Sequence, residues 1–259
     1  GKKDSAPKFN YNNNISFSKP LELPQKASPL ESVLAYKEMD WPNDTYVDGK
    51  NITQWEGYIR DYQSNPGKYP NGYIFDESGN LFLMKERNMF DDMTDNFGFM
   101  QNHSMSVSGG SEKTVYRIGV GYTGEDGILI TDKDSYDRLN LSTFMGVDVN
   151  SWLTTQLDLK YGNSKQKKVE AGGRNTVWVA AMNLPSYQNN EDYEENGTVY
   201  PAESPATYIR YGDPRRIKRN DLRALGRIIL SPLKGLKITG EYTYNRTTEQ
   251  NKFYKNKYQ

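Results

Sequence analysis

The chain has 259 residues, and its 33 basic and 33 acidic side chains give a formal net charge of zero at pH 7. This balance gives no electrostatic reason to expect a nucleic acid as partner. Because there is no cysteine and His103 is the only histidine, disulfides, thiolate metal sites and zinc sites built on a histidine pair are excluded within the chain. No run of 18 apolar residues occurs, so the sequence predicts neither a membrane helix nor a signal peptide.

The first predicted strand covers residues 9–17. Aromatic and aliphatic residues alternate there with Asn and Ser, and a period of two is typical of a β-strand with one apolar face. Aromatic residues lie near both ends of the strand, as they do in the interfacial girdles of a membrane barrel. Pro20 and Pro24 end this strand.

A long connection follows, over about residues 19–101, and it exceeds the length of ordinary loops. Ser28 and Glu31 form a capping box around Pro29, and helical spacing of apolar residues continues until Trp41. A second helix signal begins at Thr53 and ends at the Asn-Pro-Gly sequence of residues 65–67. The sequence therefore predicts two short helices within this connection.

Aromatic side chains crowd the same connection, and their faces suit sugar rings or peptide side chains. The candidate substrate-binding residues are Trp41, Trp55, Tyr58, Tyr62, Tyr69 and Tyr73. Packing within the loop is the competing interpretation, and it is favoured for any single one of them.

Two predicted hairpins occupy residues 104–161. The first joins residues 104–110 to residues 114–123, and the second joins residues 138–148 to residues 153–161. These strands approach the roughly 9 to 11 residues that cross a bilayer, whereas strands of soluble proteins most often have about 5 to 6. Period-two alternation predicts that Leu141, Leu157 and Leu159 share the apolar side, with Asn140, Gln156 and Asp158 on the other.

The last part of the chain repeats this organisation. A second long connection, about residues 163–220, contains a predicted helix near residues 176–183 and a turn-rich tract. Two further strands, residues 221–230 and 236–244, flank a tight turn. The result is seven strands whose connections alternate between long and short, as in up-and-down membrane barrels.

These residues carry a family resemblance. The run His-Ser-Met-Ser-Val-Ser-Gly-Gly at residues 103–110, the tyrosine-containing strand after it, and the sequences at residues 124–128 and 138–141 resemble the early barrel of the SusC/RagA family. Its members are TonB-dependent nutrient transporters of the bacterial outer membrane. The resemblance covers most of the chain from Gly1 to about Tyr244, and the long loops match least.

The resemblance implies an all-β fold, in which about seven antiparallel strands form part of a large up-and-down transmembrane β-barrel with long, partly helical extracellular loops. Residues 1–8 would be the junction from the plug domain to the barrel, and residues 9–259 would be the N-terminal part of the barrel. Because a barrel of this family has about 22 strands around a plug, the chain would supply the first third of the wall.

The resemblance also implies the function and the partners. The protein would import a glycan or peptide nutrient across the outer membrane, beneath a SusD-like surface lipoprotein. Energy would come from TonB through a plug that is not in this sequence, and the outer wall would contact membrane lipid.

The residues favour no enzyme, cofactor or metal. No Gly-X-Ser-X-Gly motif occurs, and the glycines of residues 119–124 match a dinucleotide fingerprint but lie in a strand with no helix after it. Asp91, Asp92 and Asp95 lack the spacing of a calcium loop and predict an exposed helix start. His103 is interpreted as marking a strand start.

A soluble secreted β-sandwich that binds carbohydrate is the alternative, since alternation also arises when one sheet face covers a core.

Overall fold

Seven long strands form one antiparallel sheet in a computed structural model that describes residues 2–39, 46–47, 49–171, 175–188, 192–195, 197–200, 202 and 204–253. The strands are β1 (Ser5–Ser18), β2 (Gly98–Gly110), β3 (Thr114–Asp126), β4 (Ser135–Asp148), β5 (Leu153–Lys168), β6 (Arg215–Leu233) and β7 (Leu236–Lys252). Each strand pairs with its neighbours in chain order, so the sheet is an up-and-down meander. The short turns lie at one end and the long connections at the other.

Strand length exceeds the prediction. The seven strands have 13 to 19 residues, and several extend toward the long connections beyond the predicted ends. β2 begins at Gly98, so His103 lies in mid-strand and its interpretation as a strand start is wrong. β5 continues to Lys168 and β6 begins at Arg215. Apart from Ile217, these strand ends are polar on both sides, so pairing continues where alternation has disappeared.

The register places apolar and polar residues on opposite sides, because directly paired residues of antiparallel strands share a face. One row across all seven strands contains Phe9, Val107, Ile118, Thr143, Leu159, Ala224 and Tyr244. The adjacent row on the other side contains Asn10, Ser106, Gly119, Ser142, Lys160, Arg223 and Asn245. We call the first side the apolar face and the second the polar face. Leu141, Leu157 and Leu159 lie on the apolar face, and Asn140, Gln156 and Asp158 on the polar face, as the alternation predicts.

Two glycines of the apolar face make room for tyrosine rings. A Cβ atom at Gly109 would lie 2.7 Å from the hydroxyl of Tyr116, its cross-strand partner. A Cβ atom at Gly124 would lie 2.7 Å from the hydroxyl of Tyr122. An aromatic ring over a strand glycine covers backbone that has no side chain of its own. Each tyrosine therefore supplies the packing that a side chain at the glycine would otherwise give.

A second compact unit consists of the two long connections, Pro20–Asp95 and Val169–Gly212, and we call it the loop body. Its helices are α1 (Pro29–Glu38), α2 (Ile52–Ser64), α3 (Met89–Met93), α4 (Val177–Asn183) and α5 (Pro205–Tyr211), with a 3-10 turn at Pro66–Lys68. Its strands form four antiparallel pairs: Tyr46–Val47 with Lys50–Asn51, Tyr73–Phe75 with Leu81–Leu83, Glu170–Ala171 with Asn175–Thr176, and Tyr193–Glu195 with Thr198–Tyr200. None of the helices that the structure describes is long and apolar enough to cross a membrane.

Local sequence signals explain where these helices begin. The predicted capping box is present in α1, where the Glu31 N–H donates to Ser28 Oγ at 3.2 Å and the Ser28 N–H donates to Glu31 Oε2 at 2.8 Å. The Ser28 hydroxyl also donates to Glu31 Oε2 at 2.8 Å, and the hydrogen bonds from the Ser28 N–H and hydroxyl lower the pKa of the Glu31 carboxyl. α2 begins one residue before the predicted Thr53, because Asn51 caps it by accepting from the Gln54 N–H at 2.9 Å. The predicted helix near residues 176–183 is α4.

The two connections share one hydrophobic core. Trp55 of α2 is 2% exposed, its ring centroid lies 4.9 Å from that of Tyr187 in the second connection, and its indole N–H donates to the Leu83 carbonyl at 2.8 Å. The buried residues of this core are Val33, Ile52, Trp55, Ile59, Tyr69, Phe82, Leu83, Met84, Tyr187, Tyr193 and Ala202. The sequence did not indicate that the two connections fold together, since packing between distant loops leaves no periodic pattern.

The β-sandwich alternative is wrong for the described part of the chain. A sandwich needs a second sheet packed face to face on the first. The sheets other than the seven-stranded one are pairs whose strands have two or three residues. In the part that the structure describes, no sheet is large enough to cover a face of the seven-stranded sheet.

We expect Trp55→Ala to loosen both connections, because the removed ring contacts residues of each. Truncation of a buried Trp costs about 3 to 5 kcal/mol. Hydrogen exchange of the full-length protein should therefore speed up in α2 and also around Tyr187. Tyr211→Ala, which removes an exposed ring of the same unit, should leave exchange unchanged. Faster exchange confined to Pro20–Asp95 would contradict the shared core.

The turn after α2 should weaken in acid. The Lys68 ammonium and the Tyr69 hydroxyl both donate to Asp61 Oδ2, at 2.5 and 2.7 Å. These two hydrogen bonds lower the pKa of the Asp61 carboxyl. A carboxyl group whose pKa is lower in the folded protein than in the unfolded chain stabilises the folded state at pH values above its unfolded pKa of about 3.9. The contribution is lost as pH falls through the lower folded pKa.

Hydrogen exchange at Pro66–Lys68, corrected for the intrinsic rate, should report this loss below about pH 4. In Asp61→Asn the turn should exchange faster at neutral pH and change less with acid. An identical acid response in the two proteins would show that Asp61 does not hold the turn.

Candidate functional site

The apolar face is exposed across all seven strands. Phe9 at one edge is 75% exposed, and Leu159 in the centre is still 37% exposed. Other large exposed residues of this face are Tyr11, Met105, Val120, Leu139, Leu141, Met145, Leu157, Leu222, Ile228, Ile238, Tyr242 and Tyr244. Contiguous apolar patches of more than a few hundred Å² are rare on soluble monomers and mark contact with a membrane or a partner.

Aromatic side chains gather on this face toward the long connections. The Tyr11 hydroxyl and His103 Nδ1 are 2.8 Å apart in a hydrogen bond, and the His103 ring stacks between those of Tyr11 and Tyr122 at centroid distances of 6.2 and 6.4 Å. The Phe17 ring lies 5.3 Å from Phe97 and 5.5 Å from Phe99. Rings with one polar atom and one apolar side are the side chains that occupy membrane interfaces.

The polar face carries paired charges. Arg227 forms an ion pair with Glu241 at 2.6 Å, and it also donates to the Gln156 side chain at 3.2 Å. Arg219 pairs with Asp221 at 3.0 Å, and Asp221 accepts from the Thr247 hydroxyl at 2.7 Å. These contacts cross three neighbouring strands, so they fix the orientation of long side chains on this face.

Two features of the polar face suit contact with further groups. Arg138, Arg219, Asp221 and Glu249 line a shallow groove that crosses β4 to β7. Asp158 lies opposite Phe144 and Leu225, and its Oδ1 is a buried side-chain atom with no hydrogen-bond partner among the described residues. A surface with a groove of alternating charge and an unmatched carboxylate oxygen is chemically suited to bind polar groups of another segment or of a solute.

The six aromatic candidates of the first connection are in different environments. Trp41 lies outside the described residues. Trp55 and Tyr69 are buried in the core of the loop body. Tyr58, Tyr62 and Tyr73 pack against that core and remain partly exposed. Five of the candidates therefore lie in one unit, and three of these five have side chains that are partly exposed to solvent.

Hydrogen bonds hold two of the three open rings. The Tyr58 ring lies 5.1 Å from Phe82, and its hydroxyl accepts from the Gln54 side chain at 3.1 Å. The Tyr73 hydroxyl accepts from the Glu194 N–H at 3.0 Å, and its ring lies 5.5 Å from Tyr193. Tyr187 and Tyr193 of the second connection thus complete the aromatic cluster. The sequence did not indicate them, because nothing in the second connection shows which distant residues it packs against.

The described residues hold no group of three or more acidic or histidine side chains arranged for a metal ion. Asp91 and Asp92 lie in the first turn of α3, which Asn88 caps by accepting from the Phe90 N–H at 3.1 Å. This is the helix start that the sequence predicts. Carboxylates in the first turn interact favourably with the helix dipole.

Comparisons with known proteins identify structures of similar fold. No family model and no curated protein matches the sequence. Structures of the RagAB peptide importer in its closed-closed and open-open states each match with a TM-score of 0.65 and 16% identity, over 97% of this chain and 29% of the matched chain. A structure of the RagAB peptide transporter matches with a TM-score of 0.66 and 15% identity over the same shares.

The likeness concerns the fold, and this chain spans 29% of the length of the chains that it matches. The matched proteins are transporters. The expected architecture, about seven antiparallel strands of an up-and-down β-barrel with long and partly helical connections, is confirmed.

Proposed function

We propose that this chain forms part of the wall of a nutrient importer in the bacterial outer membrane. The apolar face would meet lipid and the polar face would line the lumen. The observation that carries the proposal is the apolar face itself, which is exposed on a single sheet of strands long enough to cross a bilayer. The likeness in fold to the RagAB peptide importer supports it.

The extent of the apolar face agrees with a membrane. On β5 it runs from Leu153 to Tyr161, and these eight steps span about 27 Å at 3.4 Å per residue. A tilt of roughly 40°, as in membrane barrels, reduces that distance to about 20 Å along the membrane normal. The outward apolar band of such barrels is about 25 Å tall. The aromatic rings around His103 would lie at the interface at the long-connection end.

The polar face would enclose a plug. Gly121 lies on this face, and a Cβ atom there would lie 3.9 Å from the nearest neighbouring atoms, so the missing side chain leaves room for a packed segment. The unmatched oxygen of Asp158 would be satisfied by the same neighbour. In this proposal residues 1–8 are the junction from plug to barrel, residues 9–259 belong to the barrel, and TonB supplies energy through the plug.

The loop body would face the cell exterior and meet a SusD-like surface lipoprotein. Tyr58, Tyr62 and Tyr73 are the substrate contacts that we propose, because they are partly exposed on a unit held rigid by a shared core. Trp55 and Tyr69 would support them from beneath. An oligopeptide is the substrate class that the RagAB structures support, and a glycan is the class that experiment has to separate from it.

Membrane placement predicts opposite environments for adjacent residues. Single cysteines at positions 156 and 157 of the full-length protein in bilayers, in a background from which any other cysteine has been removed, can carry spin labels. The label at 157 should be accessible to oxygen dissolved in lipid and shielded from a water-soluble nickel complex. The label at 156 should show the reverse preference, with higher accessibility to nickel and lower accessibility to oxygen. Equal nickel accessibility at the two sites would refute the assignment.

Uptake tests the function. Cells that produce the full-length protein should accumulate a fluorescent oligopeptide in a TonB-dependent manner, and cells without it should not. A triple variant, Tyr58→Ala with Tyr62→Ala and Tyr73→Ala, should reduce uptake several-fold because each aromatic contact contributes about 0.5 to 1.5 kcal/mol beyond its buried area. Tyr211→Ala is the matched control. Accumulation of a labelled glycan in place of the peptide would reassign the substrate, and uptake of neither would reject an importer of these two classes.

A further inference from the structure

Basic residues replace apolar ones where the apolar face approaches the long connections. The change is confined to three neighbouring strands, β5, β6 and β7. Five of these basic residues, Lys165, Lys167, Arg216, Lys218 and Lys252, lie together at the strand ends, and we call them the basic patch; Arg246 lies apart from them, opposite Leu222. At the short-turn end of the same strands, the face carries Leu153, Leu230 and Ile238.

The register places these cations directly beside one another. Lys165 is paired with Lys218, and Arg216 is paired with Lys167 on one side and Lys252 on the other. Directly opposite residues of antiparallel strands have Cβ atoms about 4.5 to 5.5 Å apart, and like charges in these positions are destabilising. The sheet therefore bears a repulsive cost at this corner, which an anionic partner would remove.

Acidic residues of the same face neutralise only part of the patch. Lys167 donates to the Asp132 carboxylate at 2.8 Å, and this contact lowers the pKa of Asp132. Asp137 is paired with Lys165, but it also accepts a hydrogen bond from the Tyr122 hydroxyl at 2.8 Å. Both acids lie on the β4 side. Among the described residues, Lys218 and Lys252 lie on the side away from both acids.

The position of the patch limits its partner. It is continuous with the exposed apolar rows of β5 and β6, in which Tyr161 and Leu222 are the last large apolar pair before it. A group that covers the patch beside a lipid-facing surface has to be anionic at one end and apolar at the other. Lysine and arginine stems can lie along acyl chains while their charged ends reach the interface. Arginine and lysine are also the residues that bind phosphate.

We propose that the basic patch binds the phosphate groups of lipid headgroups in the leaflet at the long-connection end. The proposal rests on the proposed function, because it requires the apolar face to lie in lipid. The bound lipid would place its acyl chains along Tyr161 and Leu222 and its phosphates over Lys165, Lys218 and Lys252. It would offset the repulsion between the paired cations and fix the depth of this side of the wall.

The test uses the full-length protein in neutral detergent, titrated with fluorescent bisphosphorylated lipid A and, in parallel, with the dephosphorylated form of the same lipid. The test variant carries Lys165→Gln, Lys218→Gln and Lys252→Gln. The matched control carries Lys113→Gln, Lys234→Gln and Lys237→Gln, which removes three exposed lysines at the short-turn end. Each basic residue near an anionic lipid surface is worth about fivefold in affinity, so the test variant should bind on the order of a hundredfold more weakly. The control should bind as the unsubstituted protein does.

Heat-modifiable migration, measured on every variant, separates the two proposals. Equal lipid affinity in the test and control variants, or equal affinity for the two lipid forms, would overturn the patch proposal. If the protein is still folded and heat-modifiable in that case, the membrane placement is unaffected. Full competition by inorganic phosphate would assign the patch to free anions and also overturn it. Photocrosslinking at position 218 in cells should yield a lipid adduct, and an adduct with an acidic protein would reject the lipid. Failure of the unsubstituted protein to insert would overturn the proposed function and this inference with it.

Discussion

Pairing of backbone hydrogen bonds is the constraint on which this structure depends. In the membrane placement that we propose, the apolar face has no water with which to satisfy its N–H and C=O groups, so each strand has to be paired along its whole crossing. The five central strands, β2 to β6, are paired on both sides, while β1 and β7 are paired on one side. Pairing also continues through the ends of β5 and β6, beyond the apolar rows, where the strands satisfy one another's backbone groups although side chains give little hydrophobic reason for a strand.

The register of the strands decides which side chains share a face. It places apolar residues on one side of the sheet and polar residues on the other. A slip of one residue in any strand would move its polar residues to the apolar face. The Arg227–Glu241 ion pair and the Asp221–Thr247 hydrogen bond on one face, and the Tyr116 ring over Gly109 on the other, join neighbouring strands and act against such a slip. In the basic patch the same register places like charges opposite one another, which is unfavourable. This repulsion is the reason to expect an anionic partner there.

Local signals in the sequence predicted local structure well. The capping box at Ser28, the turns of the hairpins and the alternation around Leu141 and Leu157 depend on neighbouring residues, and each is present in the structure. The contact between Trp55 and Tyr187 could not be predicted in this way, because it depends on two loops that are far apart in the chain. The mid-strand position of His103 was also missed, since the residues before it do not alternate clearly.

The shared core of the loop body also dictates an order of folding. Val33 and Trp55 cannot be fully covered until Tyr187 and Tyr193 arrive, and residues 96–168, which form four strands, separate the two connections. Closure of so long a segment is slow compared with the formation of a hairpin or a helix. Until the second connection is in place, the first connection has an incomplete core, and its apolar residues are exposed.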